Sequence, residues 1–122
     1  MTAYRVFVEA ASPSRLVDAV STFLSVSMSC IETDAGPVFR GITEDSVVSV
    51  FEDHGLVDDA GIPFTKYRFE VLLEPIEQFT SSSSRIEAKL EQKAKDMAAE
   101  ICSKLATHCM VVRGLQVLVH SC

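Results

Sequence analysis

The chain has no tryptophan and only five glycines and four prolines in 122 residues. Its glycines stand apart from one another, so there is no glycine-rich loop to cradle a phosphate. The G-x-S-x-G spacing that exposes a nucleophilic serine is also missing. No segment reaches the ~18–20 consecutive apolar residues of a membrane span. The four cysteines (Cys30, Cys102, Cys109, Cys122) form no C-x-x-C pair and do not match the framework of a small secreted scaffold. They are expected to be mostly reduced, with Cys102 on the apolar side of a helix. Met1 to Arg5 lead straight into a strand-like run with no signal-peptide pattern, so the expected location is cytoplasmic.

The most telling shortage is of base in one region. Residues 30–59 hold eight acids (Glu32, Asp34, Glu44, Asp45, Glu52, Asp53, Asp58, Asp59) against one base, Arg40. The formal net charge of −6 is therefore regional. Phosphate backbones are bound by clusters of Lys and Arg, so nucleic acid is not an expected partner. The Lys and Arg residues between 85 and 104 alternate with acids at helical spacing, as on a solvated helix face.

What is present is a well-patterned globular chain, 48% hydrophobic, long enough for one core without staples. It is expected to be a single domain over residues 1–122. Tyr4, Val6 and Val8 alternate as in a strand. Ser12-Pro13 has the chemistry of a helix start, followed by Leu16, Val17, Val20, Phe23 and Leu24 on one stripe to about Ser27. Short strands are expected within 28–45, with a turn at Asp34-Ala35-Gly36-Pro37. Val47–Phe51 is β-rich, and Phe64–Leu73 alternates with Tyr67, Phe69, Val71 and Leu73 on one face. Between them, residues 54–63 predict a hairpin with a long acidic tip.

Ser84, with Glu87 three residues on, resembles a capping box. Ile86, Leu90, Ala94, Met97, Ile101 and Leu105 then form a continuous stripe of a long helix to about Thr107. Met110–Val119 reads as a final strand with a bend at Gly114. The order predicts an α+β fold: an antiparallel sheet of four to five strands with two helices packed on one face, a ferredoxin-like split β-α-β plait or close variant. The other face would be partly exposed and mixed in charge, carrying Arg5, Phe7, Glu9, Lys66, Arg68, Glu70 and Leu72.

The sequence offers no catalytic constellation. Carboxylates working as acid and base need burial or a close neighbour to separate their pKa values, and a hairpin tip supplies little. Glu52, Asp53, His54, Asp58 and Asp59 match no calcium loop. Cys102, His108, Cys109, His120 and Cys122 are zinc-competent types without zinc spacing. No cofactor or metal is expected. The expected function is protein recognition, with Glu44, Asp45, Glu52, Asp53, Asp58 and Asp59 as interface charges facing a basic protein partner. An immunity protein or antitoxin against a cationic nuclease toxin is a concrete instance. The alternatives are a homo-oligomeric structural or regulatory module, forming a homodimer through the open sheet face or the long helix, and a small enzyme or small-molecule binder with a cleft between sheet and helices.

Overall fold

Alternating apolar residues and a few turn formers build the sheet. A computed structural model describes residues 3–9, 11–34, 36–76, 83–114 and 116–121, the side chains of 83–87 and 119–121 lying outside that set. The elements are β1 (Tyr4–Val8), α1 (Pro13–Leu24), β2 (Ser29–Thr33), β3 (Gly36–Ile42), β4 (Ser46–Phe51), β5 (Phe69–Pro75), α2 (Ser83–Leu105), β6 (Cys109–Arg113) and β7 (Gln116–Ser121). The fold is α+β: an open antiparallel sheet in the order β2-β3-β4-β5-β1-β6-β7, with both helices on one face.

One row per strand makes the main core. Tyr4, Val6 and Val8 of β1, Val48 and Val50 of β4, Phe69, Val71 and Leu73 of β5, and Cys109 and Val111 of β6 all point toward the helices. Leu16, Ala19 and Val20 of α1 and Leu90, Ala94, Met97 and Ile101 of α2 close the layer. Each large side chain buried this way stabilises by about 1.5–3 kcal/mol. The helical stripes are those the sequence predicts, apart from Ile86, whose side chain lies outside the described residues. Proline opens α1 at its first position, where its missing N–H costs nothing. The helix ends at Leu24, short of Ser27, because Ser25 turns left-handed (φ 53°) and its N–H bonds back to the carbonyls of Ser21 and Thr22. Ser84 lies inside α2, and its pairing with Glu87 falls outside the described residues.

Several expectations need correction. Among the described residues the sheet has seven strands, not four or five, because 28–45 forms a full β2–β3 hairpin and the C-terminal strand is two strands. Gly114 adopts φ 61°, which lets the chain reverse between Arg113 and Gln116. The segment expected as one strand from Phe64 is a 3₁₀ turn at Phe64–Lys66, and β5 starts only at Phe69. Tyr67 and Phe69, predicted to share a face, lie in separate clusters on opposite sides of the sheet. The second face is not open over its centre: Phe7 is fully buried there beneath Ile62, Phe64 and Tyr67. Cys102 is buried as expected, yet it is disulfide-bonded and not reduced.

Gly41, on the helix side of β3, lies under the α1–β2 connection. A Cβ there would stand 2.8 Å from Met28 Sδ, 3.0 Å from Val26 Cγ2 and 3.1 Å from the Ser27 carbonyl oxygen. The methionine can swing away, but the backbone oxygen cannot. Gly41→Ala is expected to cost roughly 1–3 kcal/mol by overpacking, read as a lower urea midpoint at unchanged m-value. A midpoint equal to wild type would show that this connection is loosely held.

Candidate functional site

The 17 residues between β4 and β5 decide what the second face presents. After Glu52 the chain crosses the sheet instead of projecting as a hairpin tip, and Ile62, Phe64 and Tyr67 pack on Phe7, Met110 and Val112 as a second small core. The Phe64 and Phe7 ring centroids are 5.1 Å apart. Polar side chains set the path. Asp53 Oδ1 accepts the Gly55 N–H at 3.0 Å, and Gly55 takes φ 68°. Asp58 Oδ1 accepts both the N–H (2.9 Å) and the hydroxyl (2.8 Å) of Thr65. These bonds favour the charged carboxylate and lower the pKa of Asp58. Asp59 pairs with Ile62 through the backbone across a turn in which Ala60 and Gly61 both have positive φ.

His54 holds the two ends of this connection together. Its Nδ1 accepts the Leu56 N–H at 2.9 Å, so Nδ1 carries no proton. Its Nε2, 2.6 Å from the Tyr67 carbonyl oxygen, must then carry the proton and donate it. The ring also meets Phe7 edge-on at 5.3 Å. With both nitrogens committed, His54 is a structural clasp and not a base or ligand in waiting.

Between this connection and β3–β4 lies a cleft of about 730 Å³. Val38, Phe51, Leu56 and Tyr67 give it apolar surface, and Arg40, Glu52, Asp53 and Arg68 give it charge. Glu52 is bound by Arg68 at 2.7 Å, so that pair is neutral. Arg40 is exposed, and its Nε donates to Ser49 Oγ at 3.4 Å. Asp53 is exposed, and Asp58 stands behind Thr65, which also lines the cleft.

The six acids expected as one surface are thus divided. Glu52, Asp53, Asp58 and Asp59 lie in the connection that walls the cleft. Glu44 and Asp45 precede β4 and sit at its other end, about 20 Å away at 3.3 Å per residue. Glu44 is 85% exposed. Asp45 is turned inward, 2.9 Å from both Lys93 Nζ and Lys89 Nζ. Burial opposes its charge, but the two lysines, with Thr43, outweigh that and hold its carboxyl well below the usual carboxylate range. A second cleft of about 740 Å³ lies at that end, and its lysines are the ones that Asp45 and Glu44 engage.

Sequence reasoning missed Arg40, Thr65 and Tyr67 as parts of the site. The alternation of Val38 and Arg40 puts them on one face of β3, which was the available signal for Arg40. Glu70, expected partly exposed on this face, is instead buried 3.5 Å from Arg5. Burial raises the pKa of Glu70, against the pull of Arg5. Glu70 does not line the cleft, so we assign it to an internal ion pair.

The zinc-competent residues that are described do not converge. Cys109 is in the main core, its thiol pushed up to about 12 by burial, while His108 is exposed and Cys102 is in its disulfide. His120's side chain and Cys122 lie outside the described residues. Among the described residues no three His, Cys, Asp or Glu side chains converge as metal ligands, and no helix is long and apolar enough to cross a membrane. No protein-family model matches this sequence, and no curated protein matches it.

Proposed function

We propose that this chain is a small protein-binding domain that neutralises a basic protein partner at the cleft beside the β4–β5 connection, as an immunity protein or antitoxin does for a cationic nuclease toxin. One observation carries this reading: apolar side chains line the cleft, and exposed carboxylates beside it are held in place by the protein's own backbone. An apolar centre with a charged rim is the anatomy of a recognition patch. Asp53 and Asp58 are ordered before any partner arrives, which lowers the entropy cost of pairing them. The commitment of both His54 nitrogens favours binding over catalysis at this place. The sheet face needed for a sheet-to-sheet dimer is occupied over Phe7, which disfavours that form of self-association. In the same proposal the inner strands β4-β5-β1-β6 with α1 and α2 are a ferredoxin-like plait, extended by β2–β3 on one side and β7 on the other. A cytoplasmic site of action is also part of it; the disulfide at Cys102 weighs against that part, since thiols stay reduced there.

The test uses asparagine, which keeps the Oδ1 acceptor and removes the charge. Immobilised wild type is expected to retain a basic protein from the source cell at low salt. The variant Asp53→Asn, Asp58→Asn, Asp59→Asn should bind it about tenfold more weakly, and Glu44→Gln no differently from wild type. Binding should fall with added salt. Equal retention by wild type and the triple variant would contradict the proposal.

A further inference from the structure

β2 contributes no side chain to either core: all five of its residues are exposed. It is also the last strand of the sheet, so among the described residues one side of its backbone has no strand beside it. Proteins commonly blunt such an edge with charged side chains, lysine above all, with a proline, a bulge or a covering loop, or by keeping the strand very short. β2 is short and its one charge is Glu32, but it has no lysine or proline, and its pairing with β3 runs without a register shift from Ser29↔Arg40 to Thr33↔Gly36. The β6–β7 pair at the opposite edge, by contrast, is interrupted between Val111 and Val112.

The register defines what an added strand would meet. Ser29, Ile31 and Thr33 share the cleft side with Val38 and Arg40, and Cys30 and Glu32 share the helix side with Phe39. Ile31 is 40% exposed. Glu32 and Asp34 are the charges of β2 and its turn, and no base accompanies them before Arg40.

We infer that the outer edge of β2, at residues 30–32, receives an extended segment of the basic partner as an eighth strand, with a basic side chain opposite Glu32 and an apolar one beside Ile31. This rests on the recognition reading above and names how the partner would extend beyond the cleft. Backbone hydrogen bonds would supply the affinity, and the alternation of apolar and basic side chains the selectivity. Ionic pairing at Glu32 contributes selectivity more than energy, because that side chain is exposed.

The probe is a synthetic Lys-Val octapeptide of four repeats, added to the full chain. Amide hydrogen exchange is followed by NMR, with alkylation of the exposed free thiol of Cys30 as a second readout. The peptide is expected to slow exchange within residues 29–33 by ~10-fold at saturation. A Lys-Pro octapeptide of equal charge, which lacks half the backbone donors, should slow it far less. Glu32→Gln should weaken the effect of the Lys-Val peptide. Equal slowing by both peptides, or none by either, would overturn the inference. Slowing confined to residues 53–65 would overturn it at the edge and leave the cleft reading standing. An uncharged Thr-Val octapeptide acting as well as Lys-Val would overturn the basic-partner reading as well. Protection of 29–33 that grows with protein concentration before any peptide is added would assign the edge to a second copy of the chain and overturn the proposal.

Discussion

Phe64→Ala is expected to destabilise the protein by about 3–4 kcal/mol and to loosen the β4–β5 connection more than any other segment. Phe64 is 4% exposed and is central to the cluster that holds residues 56–67 on Phe7, Met110 and Val112. That cluster is separate from the main core, so the lost packing falls on the connection itself. The His54 hydrogen bond to the Tyr67 carbonyl remains, but one clasp does not replace an aromatic anchor. Amide exchange should therefore rise first in residues 54–67, while β1 and β6, also held from the helix side, change less. Phe64→Leu keeps most of the volume and should cost less than half as much. Val57→Ala is the internal control: at 73% exposure it should change stability by no more than ~0.5 kcal/mol. A loss below about 1 kcal/mol for Phe64→Ala would mean that the second core does not hold the connection down.

The second large effect is expected at Asp45. This carboxylate joins the β3–β4 turn to α2 through Lys93, and it accepts hydrogen bonds from the Thr43 and Ser46 hydroxyls. Asp45→Asn keeps an oxygen for the two hydroxyls but leaves Lys93 without its counter-charge. The expected cost at pH 7 is about 1–2 kcal/mol. Solvent reaches both lysines, so it should stay below the cost of breaking a fully buried pair.

The pH dependence has a definite sign. Asp45 has its pKa lowered on folding, so its contribution is fully present above the unfolded-state value, near pH 4. It is lost as the pH falls through the folded-state value. Wild type should thus lose its advantage over the Asn variant only in strong acid, below about pH 4. Denaturant midpoints of the two proteins at pH 7, 4 and 2 measure this. A gap that does not narrow in acid would place the stabilisation in packing and not in charge.

These two sites also show where linear patterning stops being informative. The stripes of α1 and α2 and the alternation in β1 record burial against a single layer, and local periodicity is enough to see it. Tyr67 and Phe69 obey the same alternation, yet the chain crosses the edge of the sheet between them. Only the tertiary burial of Phe7 reveals that, since no local feature separates a continuing strand from a 3₁₀ turn after Pro63. Likewise Gly114 is a lone glycine in an apolar run, a pattern that a bend and a full reversal share. The charge count over 30–59 correctly marks an acidic segment. It cannot show that β4 carries Glu44 and Asp45 to one end and Glu52 and Asp53 to the other. Nor can it show that Lys89 and Lys93, more than forty residues away in the chain, neutralise Asp45.

The proposed recognition role of the cleft is tested most directly by an amide-exchange footprint of the full chain in complex with a basic protein retained on it. The account predicts slowed exchange in residues 52–68 and along β2–β3, with the outer faces of α1 and α2 and the turn at Glu44 unchanged. Protection centred on the helices or on the Glu44 turn, with residues 52–68 exchanging as in the free protein, would contradict it.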